Sequence, residues 1–480
     1  MTLLAGSNTV RGIINDELDV EIALKIGKTI GLTYGSPVAV AMDGRPSNIM
    51  LKSALVAGIM SVGCDVMDLG IVPTPLMQYH MVHNPDIKAG VNITATFAGQ
   101  QINGFRVLKA GGIEDPIFDE ITMDSIMAQN KQVPAMEVGR IYKVADIAES
   151  YIDHVISKVD AEAIRQANLR VCVDCRNVAV AKIISGLLMK LSVDRLTIGG
   201  DSSVMDRERM IKLGDIVKSQ NLNLGIAIEM DADHCLFVSE DGRPVQGDKS
   251  FAIFAKNMLA ENKGKVVMPI NSSTLMEDVV NENGGLVIFC TIGEQTVVRK
   301  VKENVAVFGG DIFGCTVIPS EIQTCDSILA MAKMLEIVVK EGPMSKLVEP
   351  FPTYCISRGS FECPEEEING ILDRFKAEHE GERMELVDGI KVFNDKGWIL
   401  VRHSNVKGVI KLYAQSDSYE TSDTWIRETI ENLSNLTLTH RSDPADRSVK
   451  VSVRASPPIM AVGDSSFAGT GWPVHPCEVY

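Results

Sequence analysis

Two stretches of the chain concentrate side chains able to do chemistry. In Ile228-Glu229-Met230-Asp231-Ala232-Asp233-His234, carboxylates recur at every second position. Extended backbone alternates its side chains between two faces, so Glu229, Asp231 and Asp233 point the same way. Three convergent carboxylates make a hard-oxygen site suited to Mg²⁺; a solvated acidic turn is the plainer reading of the same spacing. The second stretch runs from Asn92 through Thr94, Ala95, Thr96, Phe97, Ala98 and Gly99 to Asn103, Gly104, Phe105 and Arg106. It sets hydroxyls, amides and a guanidinium on a loop at the end of an apolar run. Cys172-Val173-Asp174-Cys175 has C-x-x-C spacing, but on a strand that spacing reads as packing, since buried free cysteine behaves as a small hydrophobe.

The elements that must position these loops alternate between helix and strand. Ile22, Ile26 and Ile30 fall on one helical face that stops near Gly35. Residues 38–42 read as a buried strand, Ser47 as the cap of a helix through Val62, and residues 66–69 as the next strand. Pro73-Thr74-Pro75 precedes a further helix, and residues 90–94 form a strand that runs into a loop over 95–103. This βαβα pattern implies an α/β domain with a mainly parallel sheet. It recurs at 169–173 and 224–228, and again at 266–269, 286–289 and 305–308, with polar stretches near 130–137 and 246–249 between the units. After Pro350 the style changes. Pro364 followed by Glu365, Glu366 and Glu367 starts a helix. Strands near Val392, 398–401 and 409–412 and a helix over 423–433 complete a small α+β domain. From about Leu438 to Tyr480 periodicity is lost, and the segment reads as a tail with little structure.

Composition bounds the function. The 480 residues amount to roughly three domains of about 150 residues. Lys and Arg total 47 against 63 Asp and Glu, a formal charge of −16, which argues against a general nucleic-acid binder. No window approaches ~18 consecutive apolar residues, so no membrane span is expected. The start, Met1-Thr2-Leu3-Leu4-Ala5-Gly6, lacks the basic and apolar regions of a signal peptide. Ten cysteines in a chain this long are not a disulfide framework, and reduced thiols in a cytoplasm are the expectation.

From about Gly6 to Leu433 the chain resembles the α-D-phosphohexomutases, the family of phosphoglucomutase, phosphomannomutase and phosphoglucosamine mutase. Gly6-Ser7-Asn8-Thr9-Val10-Arg11-Gly12 is similar to the opening G-T-S-G-I-R-G, and Asp43-Gly44-Arg45-Pro46-Ser47 to D-x-R-x-S. Asp68-Leu69-Gly70-Ile71-Val72-Pro73-Thr74-Pro75 matches D-L-G-x-x-P-T-P, and Asn103-Gly104-Phe105 matches the N-G-[FIL] after the nucleophile loop. Residues 242–248 resemble the segment after the metal loop, Val307-Phe308-Gly309-Gly310 leads into the sugar loop, and Trp398-Ile399-Leu400-Val401-Arg402 enters the phosphate loop. The resemblance implies three related α/β domains with mixed, mainly parallel sheets, plus a C-terminal α+β domain, around one cleft. The domains are expected at 1–150, 151–248, 249–350 and 351–437, followed by the tail at 438–480.

In that family a phosphoserine hands its phosphoryl group to a hexose phosphate, and the bisphosphorylated sugar flips and returns the other one. Such transfer depends on positioning and on charge neutralisation by Mg²⁺ and basic residues. The resemblance puts Thr96 and Arg11 at catalytic positions and Glu229, Asp231 and Asp233 at the metal. It puts Arg106, His234, Asp311, Arg402, Ser404, Asn405 and Lys407 at the substrate and its phosphate. The loops depart from the family's sequences. T-A-S-H-N-P is Thr94-Ala95-Thr96-Phe97-Ala98-Gly99, so serine becomes the stiffer threonine and histidine becomes Phe97. D-G-D-x-D-R keeps three carboxylates but ends in His234, which is mostly uncharged near neutral pH. T-K-V-G is Cys290-Thr291-Ile292-Gly293, without the lysine. G-E-x-S-G-H is Gly310-Asp311-Ile312-Phe313-Gly314-Cys315, and R-P-S-G-T-E-P is Arg402-His403-Ser404-Asn405-Val406-Lys407-Gly408. Arg402 can grip a phosphate bidentately, with Lys407 as a point charge. In the family's geometry His234, Cys290 and Cys315 would border the cleft as ligands for a softer metal such as zinc, although buried cysteine is the better default.

Loss of one acid–base group costs ~10²–10⁴ in rate, and loss of one preorganised donor ~10²–10³. Two readings follow. In the first, the protein lacks ordinary mutase activity and works by binding a phosphorylated ligand, such as a phosphosugar or other small anion, or a protein partner. In the second, it is a divergent Mg²⁺-dependent phosphosugar mutase in which Thr96 carries the phosphoryl group.

Overall fold

The computed structural model describes residues 9–95, 100–114, 132–199, 206–320, 322, 324–404, 406–438 and 451–452. They divide into two compact units: residues up to Val245 with Phe313–Leu347, and Gln246–Ile312 with the chain from Val348 onward. No helix of the described residues is long and apolar enough to cross a membrane.

The first unit holds two α/β layers. In the N-terminal one, strands Ala89–Ile93, Val38–Met42, Val66–Ile71 and Ile141–Lys143 run parallel, and Ile102–Lys109 and Thr9–Ile13 extend the sheet antiparallel. Val38, Ala39, Val40 and Ala41 are all fully buried, as a strand covered on both faces requires. Helix Val20–Tyr34 begins where Asp19 accepts from the Glu21 and Ile22 N–H groups and ends at Gly35, φ 85°. It crosses helix Asn48–Ser61 where Gly27 and Gly58 meet: a Cβ on Gly27 would lie 2.1 Å from the Leu55 carbonyl oxygen, and one on Gly58 2.3 Å from that of Leu24. Ser47 does not cap that second helix with its side chain; its Oγ accepts from Asn103 Nδ2 at 2.8 Å instead. The second layer is a four-stranded sheet in the order Cys235–Ser239, Leu224–Ile228, Arg170–Cys175, Asp194–Ile198, parallel except for the first strand.

Strand Val38–Met42 runs into Asp43, a fully buried carboxylate. Asp43 accepts from Arg45 N–H (3.1 Å), Arg45 Nε (3.0 Å), Asn48 Nδ2 (2.8 Å) and Thr94 Oγ1 (2.8 Å). Arg45 donates onward to the carbonyls of Ala95 and Ile102. Asn103 donates to Asn48 Oδ1 at 2.6 Å. One carboxylate therefore pins both ends of the loop between Thr94 and Asn103.

The second unit joins a parallel layer, strands Leu286–Cys290, Lys265–Pro269 and Phe308–Gly310, to a C-terminal antiparallel sheet. That sheet contains Met384–Glu385, Ile390–Asn394, Gly397–His403, Val409–Ser416 and Cys355–Glu362, backed by helices Ile368–Glu378 and Tyr419–Leu438. The layers dock through Ile270, Trp398, Leu400 and Tyr413, with Phe289, Ile292, Ile356 and Phe393 around them. Lys391 sits in this contact, 1% exposed. Its ammonium donates to the carbonyls of Ile270 (2.8 Å) and Ser272 (3.2 Å) and lies 4.1 Å from the Trp398 ring, 5.0 Å from Phe393 and 5.3 Å from Phe289. Burial pushes its pKa down to about 7, with the charge of Glu277 opposing.

Several expectations need correction. The polar stretch at 246–249 lies where the second unit begins, and it is the start of helix Gly247–Glu261. Val305 is not in a strand; it closes helix Glu294–Asn304 in the left-handed region, φ 50°, and the strand begins at Phe308. Beyond Leu438 only Val451–Ser452 are described, and they pair with Ser360 and Phe361, so at those two residues the tail is an edge strand. Reduced thiols are not the state throughout: Cys315 and Cys325 form a disulfide.

Two outcomes follow. Asp43→Ala leaves a buried guanidinium without its carboxylate and should cost about 3–5 kcal/mol in urea unfolding, whereas Asp43→Asn, which keeps an acceptor, should cost less. Lys391 binds its proton more weakly folded than unfolded, so its contribution to stability rises with pH from about 7 toward the ordinary lysine value, by at most ~1.4 kcal/mol per pH unit. Unfolding free energies at pH 7 and pH 9.5 should therefore climb more steeply for wild type than for Lys391→Met; parallel profiles would contradict the assignment.

Candidate active site

The acidic turn at 229–234 lies between strands Leu224–Ile228 and Cys235–Ser239, and Glu229, Asp231, Asp233 and His234 are each 1–2% exposed. It turns through Ala232, at φ 61°. Neighbouring segments hold its backbone from several sides. Thr74 donates its N–H to Asp231 O (3.1 Å). Asn177 Nδ2 donates to Met230 O (2.7 Å) and to Asp43 O (2.6 Å). Ser327 donates both its N–H (3.0 Å) and its Oγ–H (2.6 Å) to Ala232 O. Gly314, at φ 97°, accepts the Cys235 N–H (3.2 Å); a Cβ there would fall 2.2 Å from the Cys235 oxygen, which only glycine avoids.

The side chains of the turn are engaged as well. Arg106, on strand Ile102–Lys109 and 2% exposed, pairs with Asp233 through Nη1 and with Glu114 through Nε at 3.3 Å. The expected phosphate ligand Arg106 is thus built into the acidic turn. His234 Nδ1 lies 3.2 Å from Glu229 Oε2. Among the described residues no three His, Cys, Asp or Glu side chains are grouped as ligands of one ion. The donor set is of the right kind for Mg²⁺, three hard-oxygen carboxylates in one turn, but Asp233 and Glu229 are directed to Arg106 and His234.

Thr96, Phe97 and Asn405 lie outside the described residues. Thr94, two positions before Thr96, is fixed by Asp43. Arg11 lies on strand Thr9–Ile13, opposite Gly104. The soft-metal alternative is not supported: the Cys315 sulfur is bonded to Cys325, and Cys290 belongs to the other unit. There, burial and the charges of Asp311 and Asp388 push the Cys290 thiol up to about 12, so it packs as a neutral group.

In the second unit Arg402 is buried on strand Gly397–His403, its Nε 3.0 Å from Asp388 Oδ2. Asp388 Oδ2 also accepts the Ile292 N–H at 3.0 Å. Ser404 is buried, its Oγ accepting from the Val406 N–H at 3.1 Å, and Lys407 is exposed at the loop tip. Glu365 braces this loop by accepting the Gly408 N–H (2.6 Å) and facing His403 (3.2 Å). Asp311 is buried at the end of strand Phe308–Gly310.

Sequence reasoning missed the braces. Asn177 carried a signal, since an amide after strand Arg170–Cys175 is a ready helix cap, and it does accept from the Ala179 and Val180 N–H groups. Ser327, Asp388 and Glu365 act across long stretches of sequence and carried none.

Models of the phosphoglucomutase/phosphomannomutase α/β/α domains match in order: domain I at residues 2–133, domain II at 149–242 and domain III at 246–354. A phosphoglucomutase/phosphomannomutase of Thermococcus kodakarensis is 32% identical over 444 residues, covering 88% of this chain and 96% of its own. A protein described as a probable phosphoglucosamine mutase, from Pyrococcus horikoshii, is 30% identical over 444 residues, covering 89% and 97%. A crystal structure of a phosphoglucomutase/phosphomannomutase family protein from Burkholderia thailandensis superimposes with a TM-score of 0.78 at 21% identity, covering 92% of this chain and 99% of that one. Motifs, domain order and full-length similarity agree, and the chain belongs to the α-D-phosphohexomutase family.

Proposed function

We propose that this protein is a divergent phosphosugar mutase, with Thr96 as the phosphoryl carrier and the acidic turn as its cation site. The observation that carries the reading is the acidic turn itself. Three carboxylates are held in a buried, fully braced turn, and a hard cation gains most where acidic oxygens are concentrated away from water. Glu229, Asp231 and Asp233 would hold Mg²⁺, which when bound neutralises charge on a transferring phosphoryl group. The Asp43 clamp on Thr94 would hold the carrier loop in place. Arg402 and Lys407 would offer positive charge to a sugar phosphate, Ser404 and Asn405 hydrogen bonds to it, and Asp311 an acceptor for sugar hydroxyls. Full-length relatives named as mutases support the same reading.

In the proposed cycle the Thr96 phosphate ester breaks as its phosphoryl group passes to a hydroxyl of a hexose monophosphate. The hydroxyl proton passes to the Thr96 oxygen that the phosphoryl group leaves, and when the bisphosphate returns its other phosphoryl group to Thr96 the threonine proton goes to the sugar oxygen set free. Phe97 in place of a histidine and His234 in place of an arginine remove one protonatable group and one fixed charge, so turnover should fall by ~10² or more relative to family members that keep both.

A second reading rests on a separate observation. Arg402 and Arg106 are engaged with Asp388 and Asp233, which draws both guanidiniums away from a transferring phosphoryl group and would leave Lys407 and Ser404 to hold a phosphorylated ligand, or the surface to hold a protein partner, without transfer.

Intact-mass spectrometry after incubation with Mg²⁺ and hexose 1,6-bisphosphate separates the two. The proposal expects one added phosphoryl group, mapped to Thr96, removed by hexose monophosphate and absent in Thr96→Ala. No adduct, with Thr96→Ala indistinguishable from wild type, would replace it with the binding reading, which then requires hexose 6-phosphate to raise the melting temperature.

A further inference from the structure

The disulfide joins the two segments that grip the acidic turn. Cys315 and Cys325 are ten positions apart, both 2% exposed, and their Cα atoms lie 5.3 Å apart. On one side of the bond, Cys315 forms an antiparallel bridge with His234, and the preceding Gly314 accepts the Cys235 N–H. On the other side, Cys325 leads into Asp326 and Ser327. Ser327 places two hydrogen bonds on Ala232 O, while Asp326 caps helix Ser327–Glu341 through the Ile328 and Leu329 N–H groups and accepts from Tyr151 Oη at 2.7 Å. The Asp326 N–H donates to Thr316 O at 3.1 Å, closing the same loop from inside. The acidic turn is therefore held between two strips of chain that the sulfur–sulfur bond fastens together. The other described cysteines, 64, 172, 175, 235, 290, 355 and 363, are free.

We propose that Cys315 and Cys325 are a reversible thiol–disulfide modification site whose oxidation state sets the rigidity of the acidic turn. The oxidant is a low-molecular-weight disulfide such as glutathione disulfide. When the reduced strips part and bring the pair to solvent, one cysteine thiolate attacks the oxidant, releasing one small thiol and forming a mixed disulfide; the second cysteine displaces the other small thiol. Two cysteine protons and two electrons leave, one S–S bond forms in the protein and one breaks in the oxidant. Oxidised, the two strips cannot separate and the Ala232 and Cys235 hydrogen bonds persist. Reduced, each strip keeps only its own hydrogen bonds and the turn opens more often. This inference goes beyond the phosphoryl-transfer reading and does not depend on it, because it concerns backbone opening alone.

The test uses the full-length chain in glutathione buffers of graded redox ratio, with no sugar and no metal. Differential alkylation with peptide mapping reads the state of the pair, and hydrogen–deuterium exchange reads the Cys235 and Ser327 N–H groups, with strand Arg170–Cys175 as internal reference. The expected result is that only this pair interconverts, and that reduction speeds exchange at the two reporter amides by about tenfold or more while the reference strand is unchanged. Cys325→Ser should show the fast exchange at every redox ratio. The proposal is overturned if the pair stays reduced across the series, if it stays oxidised throughout, or if it interconverts with no change at the reporters. Wild type alone decides among these outcomes should Cys325→Ser fail to fold.

Discussion

Taking three carboxylates of one short turn out of bulk water is the constraint around which the first unit is arranged. A buried carboxylate without compensation takes up a proton or opens to solvent, and neither preserves an acidic site. Two sets of contacts bear on that demand. Arg106 and His234 face the carboxylates of Asp233 and Glu229. The backbone oxygens of Met230, Asp231 and Ala232 each take a donor from a different segment: Asn177, Thr74 and Ser327. Because Asn177 also holds Asp43 O, the acidic turn and the Asp43 clamp share one amide. Removing a single partner from such an arrangement strands a buried charge or dipole, which costs more than the net worth of the pair.

The second unit solves a parallel problem with opposite charges. A buried ammonium on Lys391 and a buried guanidinium on Arg402 are held where the α/β layer meets the antiparallel sheet. Lys391 is satisfied by carbonyl oxygens and ring faces, which is tolerable for a lysine because it can lose its proton; Arg402 cannot, and it has a carboxylate, Asp388. Asp388 reaches across to the Ile292 N–H, so the arginine of the phosphate-type loop and the turn after strand Leu286–Cys290 are set by one side chain. Gln415 strengthens the same seam, accepting from Trp398 Nε1 and the Thr274 N–H while donating to Thr274 Oγ1.

Strands with a continuous apolar run were legible in the sequence, as Val38–Met42 shows, because burial on both faces leaves no polar residue in the run. Helix Val20–Tyr34 was legible from its isoleucine face and its glycine stop. Thr9–Ile13 and Ile102–Lys109 were not, because polar and charged residues interrupt them and what makes them strands is pairing across ninety residues. Val305 misled for a local reason: it looks like a strand residue but ends a helix in a conformation rarely adopted by β-branched side chains. For the site, residue types marked loops able to carry chemistry, while pairings such as Arg106 with Asp233 depend on two layers meeting and leave no mark in local spacing.

Asp43, Arg45, Thr74, Asn103 and Arg106 each sit in a buried polar network where substitution would strand a partner. A loop that no bound ligand holds has to be held by some other interaction. At Cys315 that interaction is covalent. Closing a loop whose ends lie ten positions apart restricts the unfolded chain by about 3 kcal/mol on the chain-entropy account, comparable to several net hydrogen bonds. The segment against His234 is thereby fixed in the absence of any ligand, and with it one side of the acidic turn.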